Sequence, residues 1–429
     1  MDIGLNSIMA EYHRELFNQY NLFYIDSSYG TSVPSYCNTQ YRLQYYIEEN
    51  LNTRKNDDYM NIYEDFLGLE LLDSYVDRVS FATDDNGIRF QKKAAQVMLD
   101  EVGLGYVEDI LTVVGIVEKK KLTEFNLEEE RLKVSRQIEE VVGEKDEEGN
   151  FEMPMDYVSE LSGQGILMSV TDGEDISNQK VDLSHYISER RKSGALNCGN
   201  ASTQESISLA EIILFHEYLI NHAGCYGREK EGSLLKYQVE YVLFGTDSDR
   251  ENLARTLSSL FLIRGAANVI HLYSDAIKMG AVRTAAFAVT FLLPEIEPLV
   301  EVALVLGWAY VESIYDLKVL LAGGKVPLLK SSGDWHYDLG SIMDSVDLDV
   351  KDTNQSGLRY KDYLHILLYF ASSEKMTFRF MDLMEMDIRA TEGNAAFRMD
   401  GCIEWISVGA VVKARSGYTH SVRAQMGYE

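Results

Sequence analysis

Glu297, Glu301, Glu312 and Asp316 are spaced so that all four fall within roughly a 100° arc of one helix, at about 100° per residue. A carboxylate metal cluster could be built on such a stripe, but it would want histidines at Glu-x-x-His spacing, and no histidine stands there. The stripe therefore reads as a solvated or salt-bridged face. His216 and His222 bracket Glu217 in a string that invites comparison with a zinc-protease helix. That motif needs its imidazoles four residues apart on one face; six residues turn them roughly 240° apart. A satisfied core histidine and a surface one are expected instead. Asp352-Thr353-Asn354-Gln355-Ser356-Gly357 offers oxygens at positions one, three and five of a calcium loop, with glycine at six. Position twelve, where a bidentate Glu belongs, is Tyr363; Asp362 is one residue off and position eight is Arg359. We read a polar turn capping the next helix, without calcium.

Other signatures fail at particular positions. Ser27 and Ser28 beside Asp26 have no Gly-x-Ser-x-Gly elbow around them. Leu321-Ala322-Gly323-Gly324-Lys325 lacks the earlier glycine of a phosphate loop, and Gly103-Leu104-Gly105 is too short for a dinucleotide fingerprint. The expectation is a protein without catalytic residues, cofactor or metal.

The elements that would carry these residues follow from pattern. Ile8, Tyr12, Leu16 and Tyr20 recur every fourth residue and predict one long amphipathic helix over 3–20, packed on a sheet, with Glu11, Arg14 and Glu15 on its opposite face. Helical pattern continues over 36–50 and over 84–120, broken at Gly103–Gly105, while 71–82 alternates weakly as a strand. A charged helix with one apolar stripe (Leu127, Val134, Ile138, Val141) ends at Gly143, and 144–150 is the best linker candidate. Leu235, Tyr237, Val239, Tyr241 and Leu243 alternate with Lys236, Gln238 and Glu240 and predict a half-buried strand. Ser248-Asp249-Arg250-Glu251 has capping-box spacing ahead of Leu253, Leu257 and Leu260. The stretch 295–321 is apolar nearly all round and predicts the central helix. Helices over 360–370 and 375–389 follow, then a hairpin of 402–413 and 418–428 turning at Arg415-Ser416-Gly417. The sum is an α+β fold whose strands 235–244, 402–413 and 418–428 form one antiparallel sheet. The long N-terminal helix packs on it in pilin-like fashion, with large helical insertions. The chain divides as 1–143, 144–234 and 235–429, which can still make one compact body.

Composition bounds the partners. The 429 residues carry 40 Lys+Arg against 68 Asp+Glu, a net charge of −28, so phosphate backbones and anionic head groups are repelled. The longest basic run is Lys119-Lys120-Lys121. Nucleic acid is excluded as a partner. Cys37, Cys198, Cys225 and Cys402 include no CxxC pair, which excludes a zinc ribbon but leaves disulfide pairing open. The most apolar uncharged stretches, 284–294 and 302–311, are about half of the ~20 residues a spanning helix needs. They read as core. No signal peptide opens the chain as given.

Several strings resemble an uncharacterised family of Gram-positive bacterial surface proteins, a domain-of-unknown-function family. They are Ser7–Thr31 (SIMAEYHRELFNQYNLFYIDSSYGT), Glu240–Asn252 (EYVLFGTDSDREN), Leu306–Lys330 (LGWAYVESIYDLKVLLAGGKVPLLK) and Met381–Arg389 (MDLMEMDIR). Members look like pseudopilins encoded near tight-adherence (Tad) pilus machinery. The resemblance implies a pilin-like hydrophobic helix running into residues 3–20, absent from this sequence. It also implies a membrane-anchored location at the extracellular face, pilin-like or pilus-assembly proteins as partners, and Ile8, Tyr12, Leu16 and Tyr20 as the packing face of the assembly helix. A surface adhesin or ligand-binding ectodomain, suited by the 27 tyrosines, is the alternative. An enzyme with an unrecognised site stands third.

Overall fold

The computed structural model describes residues 1–51, 68–145, 156–171, 176–200, 205–344, 348–350, 353 and 356–428. Its N-terminal region departs from the single predicted helix. The chain makes α1 (Asp2–Met9) and α2 (Arg14–Tyr20), separated where His13 turns extended. The His13 Nδ1 accepts the Leu16 N–H at 3.3 Å and caps α2; histidine is not among the favoured cap residues, so the break is silent in the sequence. Ile8, Tyr12, Leu16 and Tyr20 therefore do not share one face. Ile8 joins a sheet-side cluster, Leu16 and Tyr20 enter the main core, and half-buried Tyr12 sits edge-on to Phe17 and Phe23.

The chain continues through β1 (Ile25–Asp26), α3 (Tyr36–Leu51), β2 (Glu70–Phe81), α4 (Ile88–Val102) and α5 (Leu104–Lys119). Gly103, at φ 73°, makes the predicted break between the last two. Then come α6 (Leu127–Lys145), α7 (Asp156–Gln164), α8 (Ile166–Thr171), α9 (Ile187–Lys192), α10 (Leu209–His222) and α11 (Gln238–Phe244). Next are α12 (Asp249–Ser274), α13 (Ala276–Val289), α14 (Glu297–Leu321), α15 (Leu339–Asp344), α16 (Tyr360–Phe370) and α17 (Ser373–Arg389). The strands β3 (Cys402–Lys413) and β4 (Thr419–Gly427) close the fold. The result is α+β but mostly helical, with a small antiparallel sheet.

The hairpin forms as predicted, but its sheet partner differs. β3 runs antiparallel to β2 from Glu70↔Lys413 to Phe81↔Ile403, and on its other edge to β4 and β1. Residues 238–244, expected as a strand, are helical. The apparent alternation misleads because two of its polar members, Gln238 and Glu240, are buried too. Gln238 Oε1 accepts the Gly224 N–H at 2.8 Å, and Glu240 Oε1 accepts from Tyr226 N at 3.0 Å and Tyr360 Oη at 2.8 Å. One face of the sheet is covered by α1 and α3, where Leu5, Ile8, Leu43 and Ile47 meet Val79, Phe81, Ile403 and Ile406. Leu5 is buried here while Ile3 is exposed. The Tyr428 hydroxyl donates to the Met9 carbonyl at 2.6 Å, tying β4 to α1.

The larger core is one cluster running from Leu16 to Cys402, drawing side chains from all three segments named above. α14 lies at its centre, against α6, α8, α12 and α13. Residues 294–321 are long and apolar enough to cross a bilayer by length and composition, with an 18-residue stretch of mean hydropathy 1.3, yet 72% of that stretch is buried inside the fold. Ser248 precedes α12 but its side chain caps nothing, so the predicted box does not form. Asp249 turns inward instead and accepts from Ser177 Oγ, Lys236 N and Tyr237 N. Residues 146–150 of the linker candidate, and Asp352, Asn354 and Gln355 of the calcium-like string, lie outside the described residues. Of that string's neighbourhood, Asp362 accepts the Arg359 N–H at the start of α16, and Tyr363 is buried.

Candidate functional site

Two carboxylates of the predicted stripe converge. Glu312 and Asp316, one turn apart on α14, are fully buried and meet partners from two other places in the chain. The Lys330 ammonium pairs with Glu312 and lies 2.5 Å from Asp316 Oδ1. Arg264 of α12 donates its Nε and Nη2 to Asp316 Oδ2 at 3.0 and 2.9 Å, with Asn268 Nδ2 on the same oxygen at 3.0 Å. Arg264 Nη1 also binds the carbonyls of Pro327 and Leu328 and the Tyr363 hydroxyl. His336 meets Glu312 Oε1 through Nδ1 at 2.9 Å. Glu297 and Glu301 stay outside the network; Glu301 approaches Arg283 at 3.9 Å.

Glu312, Asp316 and His336 bring ligand atoms within 4.8 Å of one another, close enough to clasp a cation. The place is already taken. The Lys330 ammonium lies between the two carboxylates, and with Arg264 it balances both charges, so a divalent ion would have to displace a paired cation from a dry interior. Burial alone would push the Asp316 carboxyl up, but Lys330 and Arg264 bring it below its ordinary range. The group holds α12, α14 and the 326–336 segment together.

A second cluster was not anticipated. Glu217 of α10 accepts from the Tyr106 hydroxyl at 2.5 Å and lies 2.7 Å from His365 Nε2, and Tyr106 Oη is 2.8 Å from the same nitrogen. Burial opposes ionisation of Glu217, yet hydrogen bonds from His365 and Tyr106 bring it down to about 2. Burial, with the Glu217 charge, raises the Tyr106 phenol. This triangle can hold a proton, but its hydroxyl is less nucleophilic than a free tyrosine, not more. Beside it His216 is buried with no hydrogen-bond partner for Nε2, and burial, aided by His365, lowers it to about 3. His222 is half-buried rather than on the surface, stacked on Tyr218 at 4.1 Å with Nδ1 2.9 Å from the Tyr218 carbonyl. The two histidines thus differ from the satisfied core and surface pair expected.

A cleft of about 410 Å³ opens beside α4, lined among others by Phe23, Lys93, Glu404 and Tyr428. The Lys93 ammonium lies 5.0 and 5.1 Å from the Tyr24 and Tyr428 ring centroids and donates to the Tyr428 carbonyl at 3.2 Å. Burial pulls it down to about 8, with Glu404 opposing. Lys92 and Arg89 at the same wall face Glu205 at 2.8 and 3.8 Å. The serines next to Asp26 are structural: Ser28 donates to Asp26 and Ser27 to the Gly401 carbonyl. All four cysteines are free; Cys225 and Cys402 are buried, and burial pushes the Cys225 thiol up to about 12.

The signals for these groups were faint. Arg264 stands in an apolar run from Leu260 to Val269, where a lone charge invites a buried partner. Tyr106, Glu217 and His365 are too far apart in sequence to form a motif.

A model described as a family of unknown function, DUF5702, matches residues 144–414, well over half of the chain. That span holds three of the four strings quoted above and leaves out Ser7–Thr31, and its description says nothing of pili. No curated protein and no solved structure matches.

Proposed function

Because the chain belongs to that family of unknown function, DUF5702, we propose a role from its geometry. It is a non-enzymatic extracellular subunit of a Tad or type IV-like pilus or secretion assembly. A hydrophobic helix joined ahead of α1 holds it at the outer face of the cell membrane, and its partners are pilin-like or pilus-assembly proteins. The observation that carries the non-enzymatic part is the self-neutralisation of the buried ionic group. Glu312 and Asp316 are matched by Lys330 and Arg264, so this group serves to hold the fold rather than to present a charge to a substrate. The assembly rests on the resemblance of the four strings quoted above, and the anchor on the hydrophobic helix that this resemblance implies ahead of residues 3–20, where α1 packs on the sheet and α2 on the main core.

The experiment uses the native full-length protein in its own cells. Cell fractionation with external protease, followed by cross-linking and mass spectrometry, is expected to place it in the envelope, cleavable from outside and linked to pilus-assembly proteins. Recovery in the cytosol, or at the surface without such neighbours, overturns the reading. One observation favours a second reading, a ligand-binding ectodomain: the Lys93 cleft, with Phe23 and Tyr428 stacked 5.7 Å apart at its wall.

A further inference from the structure

Phe287, Phe291 and Leu292 are 58, 71 and 80% exposed, and Ile277 is 85% exposed on the same helix–turn unit. Between them Gly280, Ala281, Thr284 and Ala288 also face outward. At about 100° per residue the α13 members fall within roughly 60° on either side of Thr284. The Thr284 hydroxyl donates to the Gly280 carbonyl at 2.9 Å, so it asks nothing of a partner. A Cβ placed on Gly280 would meet nothing within 4 Å, so the groove beside Phe287 is open. Among 68 acidic residues, none falls between Asp275 and Glu295.

We propose that α13 and the turn after it bind a second copy of this chain across a two-fold axis at Thr284. The observation behind it is self-complementarity. Antiparallel pairing about Thr284 sets Phe287 opposite Ala281 and Ala288 opposite Gly280, so the Phe287 ring of one copy enters the space over the small residues of the other, while Phe291 and Leu292 of the turn after the helix come toward exposed Ile277. That is the pattern an isologous contact requires. The area suffices. Phenylalanine buries on the order of 150–250 Å², so this surface brings roughly 500 Å² per copy, about 1,000 Å² in all, near the lower bound of a specific interface. Charge selects the face: two copies at −28 each repel, and an acid-free surface lets them meet without juxtaposed carboxylates. Arg283 flanks the seam and already has Glu301 at 3.9 Å.

Sedimentation equilibrium of the 429-residue protein is the test. A species of twice the 48.7 kDa chain mass is expected, strengthened as salt screens the net charge. Phe287→Asp and Ala281→Arg should each weaken the dimer by at least about tenfold, with circular dichroism unchanged and with the melting temperature unchanged at dilutions where both proteins are monomeric. In a Cys37→Ser, Cys198→Ser background, which removes the exposed thiols, Thr284→Cys should give an oxidised dimer, whereas Ile277→Cys alone should not. A monomer at every concentration, or a dimer indifferent to both substitutions, overturns the proposal. So does binding of the monomer to phosphatidylcholine–phosphatidylglycerol vesicles that Phe287→Asp abolishes, which would assign the face to lipid. None of these readouts depends on pilus partners, so this inference and the preceding one fail separately.

Discussion

The neighbouring helices α13 and α14 are both apolar in composition, yet they resolve their surroundings in opposite ways. α14 is enclosed and carries Glu312 and Asp316 into the interior, each matched there by a cation. α13 is covered on one side only, through Met279, Val282 and Ala286, and turns Phe287 outward, with Phe291 exposed in the turn that follows. Hydrophobicity therefore does not tell which helix is core. The helix that carries buried carboxylates is the enclosed one: α12 and the 326–336 segment supply the counter-charges for Glu312 and Asp316, whereas Lys278 and Arg283 of α13 stay at the rim.

The comparison can be broken most severely at Lys330. Lys330→Met leaves two buried carboxylates with one cation, and a loss of about 3–5 kcal/mol is expected in urea unfolding. Little change would mean the pair is neutralised some other way. Next, Leu304→Ala on the enclosed helix should cost about 2–5 kcal/mol through the cavity it opens; Leu16→Ala at the other end of the core belongs in the same range.

A third test uses pH. His216 is held at about 3 in the fold, below the ordinary histidine value of 6.5, so the unfolded chain binds its proton first as pH falls. Its contribution is whole above about 6.5 and is lost on descent toward 3, at about 1.4 kcal/mol per pH unit. Asp382 and Glu240, raised to about 7 by burial, act in the opposite sense: their contribution is present below the ordinary carboxyl range and is lost as pH rises through 7. The informative quantity is thus the difference in slope between the parent protein and His216→Leu between pH 6 and 4, which should be close to one proton. The smallest effect belongs to α13. Phe287→Asp should change monomer stability by no more than about 0.5 kcal/mol, measured by denaturant melts at dilute protein. A large loss would show that the ring supports the fold.

Legibility in the sequence followed how local the determining contacts were. The β3–β4 hairpin, α14, α16 and the break at Gly103 are set by near neighbours and by turn chemistry, and the pattern displays them. The 238–244 segment was misread because Gly224, Tyr226 and Tyr360, distant in sequence, satisfy its polar groups. The break between α1 and α2 rests on a histidine acting as a cap. For the buried network, spacing found Glu312 and Asp316 on α14. Nothing in that helix could point to Lys330 or Arg264; of the solvated or salt-bridged stripe expected, Glu312 and Asp316 are the salt-bridged part, and their partners place it in the interior.

The bond from Tyr428 to Met9 brings the first and last described elements side by side, with α1 lying on β4 and with Ala424, Met426 and Tyr428 packed on its cluster. Mechanically, α1 and the segment after β4 are one corner of the described body. Tension applied between them would shear α1 from β4 while the helical core carried no load, so the molecule would yield locally before it lengthened.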